Sequence, residues 1–455
     1  MPHLVGGYRG LVEPAYEKQS EYVLQTVAKR GIRFIRLWFT DVQGFLKSVA
    51  ISPAELETAF QEGMTFDGSS IDGYARVHEA DMVARPDPTT FQSLPWREEH
   101  GVARMFCDIH TPDGQAFTGD PRFVLRRNLR QAAEMGYSFY VGPELEYFYF
   151  ADSGPNPQVL DSGGYFDLTP LDTAQEYRRQ TIENLERLGI PVEQSHHEVA
   201  PSQHEINLRY DDALAMADNV MTYRLVVKEV ALSHGIYATF MPKPLEHHDG
   251  SGFHMHLSLF EGDTNVFHDE TPTGLSKVAE AFIAGLLEHA PGLTAVTNQW
   301  VNSYKRLVSG FEAPIYAFWA RNNQSALVRV PTTKAGKRSS TRVEYRSPDA
   351  ACNPYLAFSV LLAAGLDGIR QGLELPDEVG TNVFDMTNDQ RSSLGIRRLP
   401  ETLSHALDEM ERSELVHAAL GDHVFDWFIR NKRAEWNRYQ HHVTPFELET
   451  YLPIL

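Results

Sequence analysis

The chain has 455 residues, of which 42% are hydrophobic, 22% charged and 11% aromatic, with 32 Gly and 26 Pro. This composition excludes a collagen-like, low-complexity or mostly disordered protein, and the length allows roughly two to four domains. Asp and Glu outnumber Lys and Arg by 61 to 41, a formal charge of −20 that disfavours nucleic acid and anionic membranes as partners.

In chain order, residues 15–30 read as a helix closed by Gly31. Residues 32–40 (IRFIRLWFT), with Phe34, Leu37 and Phe39 as apolar positions, predict a strand. A turn over 41–44 and a second strand over 45–51 would complete a small antiparallel sheet. A loop with Asp67-Gly68-Ser69-Ser70 follows, then a Pro-bearing stretch over 84–96, which places a boundary near residue 110. Beyond it, strand-like and helix-like runs alternate, so the larger domain should be α+β. Asn353-Pro354 reads as the cap and first turn of a buried helix over 355–366, a stretch too short to span a bilayer. The N-terminus lacks a charged segment leading into a long apolar core. Cys107 and Cys352 are too few for a disulfide framework. Both features suit a cytoplasmic protein.

The chemistry lies in polar pairs two residues apart. Alternate strand residues face the same side, so Glu144 and Glu146 in FYVGPELEYFYF point together while Leu145 turns away. His254, His256 and Ser258 in GSGFHMHLSL repeat the pattern, as do Arg342, Glu344 and Arg346 in TRVEYRS. One such pair is ordinarily the solvated face of a strand; three, among apolar and aromatic neighbours, point to a site. A fourth cluster, QSHHEVAPSQHEINLRY, adds His196, His197, Glu198, His204 and Glu205, and by itself also fits a histidine-rich surface loop. Glu144, Glu146, Glu198, Glu205, His254 and Glu344 form a hard, oxygen-dominated ligand set suited to Mg²⁺ or Mn²⁺. Arg306, Arg329, Arg342 and Arg346 could bind carboxylate or phosphate bidentately, or form structural ion pairs. Divalent ions beside arginines are what phosphoryl transfer from a nucleotide requires. Neither a P-loop, a G-x-S-x-G elbow nor a Rossmann fingerprint occurs at a strand–helix junction.

Taken together, FDGSSIDG (66–73), GPELEYF (142–148), SHHEVAPSQHEI (195–206), ATFMPKP (238–244), GSGFHMHLSL (250–259), NSYKRLVSGFEAP (302–314) and TRVEYRSPDAACNPYLA (341–357) resemble the type I glutamine synthetases in order and spacing. The resemblance covers nearly the whole chain. It implies an α+β fold: a small N-terminal β-grasp-like domain over 1–110 and a catalytic domain over 111–455, built on a curved antiparallel sheet flanked by helices. It also implies a homo-dodecamer of two hexameric rings with active sites between subunits.

Residue by residue, the resemblance assigns Glu146, Glu198 and Glu205 to one Mg²⁺ or Mn²⁺. Glu144, His254 and Glu344 would hold a second, against the ATP phosphates. Glu193, His256, Ser258, Arg329 and Arg342 match nucleotide-binding positions, and Gly250, Arg306 and Arg346 match positions that hold glutamate. Asp67 from the adjacent subunit, with Tyr165 and Glu198, would form the ammonium site, and Glu312 matches a carboxylate on a closing flap. Asp67, Arg306, Glu312 and Arg329 are thereby the expected catalytic groups. The implied reaction phosphorylates the γ-carboxylate of glutamate with ATP and then aminates the acyl phosphate.

Three positions depart from the family pattern. Asn323-Gln324-Ser325 stands where most members carry Asn-Arg-Ser, and losing such a cationic donor costs about 3–4 kcal/mol of transition-state stabilisation. Asp249 replaces an Asn beside the glutamate site. Phe384 replaces the tyrosine that is adenylylated in some members, which excludes that control here. Segments such as FDWFIRNKRAEW resemble actinobacterial paralogues that include γ-glutamylpolyamine synthetases. A polyamine or monoamine is therefore the alternative acceptor to ammonia, and a catalytically weak structural or regulatory relative is the more distant alternative.

Overall fold

The computed structural model describes residues 9–71, 73, 81–270, 274–310, 313–332 and 340–455, with side chains from residue 15. Helix α1 (Arg9–Arg30) ends at Gly31, whose φ of +63° turns the chain directly into a strand. Strands β1 (Phe34–Thr40) and β2 (Leu46–Ile51) form the expected antiparallel hairpin, running from Ile35 opposite Ile51 to Thr40 opposite Leu46. After α2 (Leu56–Gln61) come β3 (Met64–Asp67), β4 (Asp81–Pro86), β5 (Gln92–Ser93) and β6 (Val102–His110). The resulting six-stranded sheet has the order β2-β1-β6-β4-β3, with β5 against β6.

Two details differ from the sequence expectation. The sheet is mixed rather than antiparallel, because β1 and β6 run parallel; the long connection between them, which includes α2, allows the crossover that parallel strands need. The buried face of β1 is Ile35, Leu37 and Phe39, whereas Phe34 is 53% exposed. Strand parity explains this, since Phe34 lies on the opposite face from Leu37. On that opposite face Trp38 is buried in the larger core, so the sheet is a wall shared by two apolar clusters.

The rest of the chain builds a ten-stranded sheet. Its elements are α3 (Pro121–Glu134), β7 (Ser138–Phe150), α4 (Gln175–Arg187), β8 (Val192–His197), β9 (Gln203–Leu208), β10 (Asp211–Asp212), α5 (Ala213–Ser233), β11 (Tyr237–Thr239), β12 (Phe253–Glu261) and β13 (Thr264–Asn265). They continue with α6 (Lys277–Thr297), α7 (Ser303–Arg306), β14 (Tyr316–Ala317), β15 (Trp319–Ala320), β16 (Val328–Arg329), β17 (Val343–Tyr345) and α8 (Pro354–Gln371). The sheet order is β15-β16-β17-β12-β7-β9-β8, with β10 and β11 against β7 and β13 against β12. Every pairing is antiparallel except β15–β16. Strand β14 pairs with Arg397–Arg398 outside this sheet. Helix α8 starts as expected, with the Asn353 side chain accepting from the Tyr355 and Leu356 amides ahead of Pro354. Helices over Leu403–Glu411, Glu414–Leu420, Asp422–Gln440 and Pro445–Tyr451 close the chain. Among the described residues, no helix is long and apolar enough to cross a membrane.

Candidate active site

The register of the large sheet gathers the predicted residues. On β7, Leu145 turns into the core at 1% exposure while Glu144 and Glu146 share the other face. Residues directly opposite in an antiparallel pair lie on the same face, and here His254 is opposite Glu144, Glu205 opposite Glu146, and Glu344 opposite His256. His196 continues the row opposite Glu205, and Arg329 extends it opposite Glu344. One face of six strands thus carries carboxylates together with cationic or imidazole groups.

The two ends of this row differ electrically. At one end His256 Nε2 lies 2.7 Å from Glu144 Oε1, and His254 Nδ1 lies 3.3 Å from Glu144 and 3.7 Å from Glu344. Arg329 and Arg346 both donate to Glu344, and Arg342 Nε donates to His256 Nδ1 at 3.1 Å. Burial alone would raise both acids. Instead His256 and His254 hold Glu144 well below the carboxylate range, and Arg346 with the same imidazoles holds Glu344 down.

At the other end the acids outnumber their partners. Burial, followed by repulsion from Glu198, pushes Glu146 up to about 8, despite Arg306 and the Gly252 amide. Burial and the charges of Glu144, Glu146 and Glu198 push Glu205 well above its ordinary value. Glu198 Oε1 meets His196 Nε2 at 2.7 Å, and that nitrogen is 3.9 Å from Glu205. Possible ligand atoms of Glu144, His256 and Glu344 lie within 4.8 Å of one another, and so do those of His196, Glu198 and Glu205. His254 Nε2 is buried without a hydrogen-bond partner. An excess of buried carboxylate oxygen with an unpaired imidazole nitrogen fits hard divalent cations.

Glycines shape the floor. A Cβ on Gly252 would sit 2.8 Å from Arg306 Nη2, 2.9 Å from Glu146 Oε1 and 3.0 Å from the unpaired His254 nitrogen. A Cβ on Gly250 would meet the Pro242 carbonyl at 2.2 Å. Arg306, buried on the single turn α7, is anchored by donating to the Ser347 and Pro348 carbonyls at 2.8 and 3.2 Å. His196, part of the histidine-rich cluster, holds Glu198 through Nε2. One residue escaped the sequence reading: Gln203 Nε2 donates to Glu146 Oε2 at 2.9 Å. Period-two spacing from Glu205 would have found Gln203.

Other expected residues lie further out. Ser258 is buried on β12, two positions past His256. Glu193 is exposed at the β8 irregularity between Val192 and Gln194. Tyr165 is 56% exposed, stacked on Phe166, with its ring edge-on to His196 at 5.3 Å. Asp67 ends β3, an edge strand of the other sheet, where side-chain and backbone hydrogen bonds from Ser69 hold it below its ordinary value. Glu312 lies outside the described residues.

Residues 31–112 match the family model described as "Glutamine synthetase, beta-Grasp domain", and residues 118–451 match "Glutamine synthetase, catalytic domain". The chain belongs to the glutamine synthetase family. It is 59% identical over 446 residues to a protein named "Glutamine synthetase" from Mycolicibacterium smegmatis, covering 96% of this chain and 100% of that one. Another of that name, from Methanosarcina mazei, is 50% identical over 441 residues, covering 96% and 98%. A solved structure titled "GmaS/ADP complex-Conformation 1" superposes with a TM-score of 0.86 at 33% identity, covering 94% of this chain and 99% of that one. The fold is therefore that of glutamine synthetases: a β-grasp N-terminal domain and a large catalytic domain with a curved sheet and helices.

The family departures can now be located. Gln324 is exposed, and nearby Arg321 is engaged by Glu378 and lies 5.3 Å over the Trp319 ring. Asp249 lies close enough to Lys243 and Arg306 to favour the charged form of each. Phe384 packs edge-on against Tyr316 at 5.7 Å.

Proposed function

We propose that this chain is a glutamine synthetase: with ATP it joins ammonia to the γ-carboxylate of L-glutamate through γ-glutamyl phosphate, giving glutamine, ADP and phosphate. One observation carries the reading. A single sheet face, with residues just beyond its strand ends, sets an acid-rich cluster (Glu146 and Glu205, with Glu198 of the β8–β9 loop) beside an arginine-rich one (Glu144, Glu344, His254, with Arg329, Arg342 and Arg346). The first cluster and the second each suit one Mg²⁺ or Mn²⁺, and such ions, when bound, neutralise phosphate charge. Glu193, His256, Ser258, Arg329 and Arg342 hold the nucleotide in this reading, while Gly250, Arg306 and Arg346 hold glutamate. We place the boundary between the domains at residue 110, which the limits of the two family-model matches support. A cytoplasmic dodecamer of two hexameric rings, with sites between subunits, completes the proposal.

In the first step a γ-carboxylate oxygen attacks the γ-phosphorus of ATP, and the bond to the ADP oxygen breaks. Arg329 and Arg342 orient the phosphates and offset their charge. In the second step nitrogen attacks the acyl carbon and phosphate leaves. Ammonium must first lose a proton, which Asp67 of the adjacent subunit takes, with Tyr165 and Glu198 completing the amine subsite. Glu312 closes over the intermediate and keeps water from hydrolysing it.

Phosphate release from ATP and glutamate tests this, with ammonium compared against putrescine, spermidine, ethanolamine and methylamine. Ammonium should give the highest kcat/KM. Another amine winning tenfold, about 1.4 kcal/mol, would make the protein a γ-glutamylamine ligase instead.

A further inference from the structure

Behind the acid-rich cluster, on the reverse face of β8 from His196, lies a buried pair that this reaction scheme does not use. His197 and Asp161 have side chains 0% and 1% exposed. His197 Nδ1 is 2.7 Å from the backbone carbonyl of Glu198, so that nitrogen donates, since a carbonyl only accepts. Its Nε2 faces Asp161 Oδ1 at 3.1 Å, and the same oxygen accepts from the Ser202 amide at 2.7 Å. The Ser202 hydroxyl accepts in turn from the Leu160 and Asp161 amides at 2.6 and 3.3 Å. A Cβ on Gly163 would sit 2.6 Å from His197 Nε2, so only glycine lets that loop close over the ring.

These bonds join two loops. One links β8 to β9 and carries Glu198; the other carries Tyr165, and its Phe166 amide donates to the His197 carbonyl at 3.1 Å. Phe166 and Ser202 both hold left-handed backbone, at φ of +63° and +60°. Non-glycine residues keep that conformation only where surrounding contacts over-determine it. We propose that Asp161 and His197 are a positioning pair that locks Glu198 and the Tyr165 loop together and thereby sets amine affinity. This deepens the glutamine synthetase reading and rests on it.

The test is steady-state kinetics of Asp161→Asn and Ser202→Ala, varying ammonium, glutamate and ATP separately. Mn²⁺ titration of each nucleotide-free protein by electron paramagnetic resonance accompanies it. Removing a partner that orients a ligand typically costs 10–100-fold. The KM for ammonium should therefore rise about tenfold or more while that for ATP stays within about twofold, and Mn²⁺ affinity should fall about tenfold. Ser202→Ala leaves both acid and imidazole in place, and decides the matter if Asp161→Asn does not fold. A lower kcat with unchanged ammonium KM and Mn²⁺ affinity would mean a merely structural role and overturn the proposal. If the wild-type protein binds Mn²⁺ but makes no glutamine, the functional reading has failed, and the Mn²⁺ arm alone decides the pair.

Discussion

Two carboxylate clusters in this molecule use the same residue types to opposite ends. Between the two sheets, Arg122 meets Asp87 at 2.9 Å, Asp108 at 2.6 Å and Asp218 at 2.9 Å, and Arg126 meets Asp87 and Asp108 at 3.0 and 3.1 Å. Tyr355 adds a hydroxyl to Asp218 at 2.6 Å. Burial would raise Asp87 and Asp108, but the two guanidiniums hold both below their ordinary value. On the face of the large sheet, Glu146 and Glu205 are instead raised by burial and by one another's neighbours. The first cluster is largely offset within the chain, two guanidiniums against three carboxylates, and fastens the smaller sheet to helices α3 and α5. The second is under-compensated, and its missing charge must come from outside. Local charge balance, more than the presence of buried acids, separates a ligand-binding cluster from a structural one.

The sharpest way to break this comparison is to remove Glu344, which holds Arg329 and Arg346 as well as facing His254. Glu344→Ala should cut phosphoryl transfer by about a thousandfold or more, because charge stabilisation and positioning fall together. Near-normal phosphate release would refute the assignment. Arg122→Met should act on the other cluster alone. Leaving buried aspartates unpaired should cost about 3–5 kcal/mol in urea unfolding. Turnover per folded molecule should survive. The acid limb also carries a sign. Asp87 and Asp108 sit below their unfolded value of 3.8, so their contribution is complete above that pH and is lost as pH falls through the folded values. In Arg122→Met that part of the acid dependence should flatten; an unaltered acid limb would show that the aspartates are not held by Arg122.

A smaller effect separates the clusters by their response to ions. Mn²⁺ at a hundredfold excess over its Kd should stabilise the wild-type protein by about 2.7 kcal/mol, read as a rise in Tm. Glu146→Gln should lose most of that rise while its ion-free form is at least as stable as wild type, since one of several repelling acids is gone. A destabilised ion-free variant with an intact Mn²⁺ response would place Glu146 among the structural acids.

Much of this site was legible because strand parity is a local property. The pairs Glu144/Glu146 and His254/His256 follow from spacing alone, and so does the burial of Leu145 between the two acids. Register is not local. That Glu205 faces Glu146, or that β1 runs parallel to β6, depends on pairing between distant segments whose hydrophobic patterns look alike. For the same reason the spacing does not reveal that one end of the row is rich in arginine and the other poor. The role of Gly252 was hidden too, because it depends on Arg306 arriving from a different part of the chain.

The last and smallest effect concerns the balanced end of the row. Arg329, Arg342 and Arg346 already crowd Glu344 and His256, whereas the neighbouring turn presents a neutral Gln324. Arg321 is engaged by Glu378, an arrangement that keeps it from standing in for a missing cation. Gln324→Arg should therefore raise kcat with ammonium, by up to about tenfold or 1.4 kcal/mol, if the charge on the transferring phosphoryl group is under-stabilised. The gain should appear in kcat more than in the KM for ATP, since only the transition state spreads charge toward that position. An unchanged or lower kcat would mean that the three arginines on β16 and flanking β17 already supply the needed charge. The boundary between the compensated and uncompensated ends would then lie between Glu144 and Glu146.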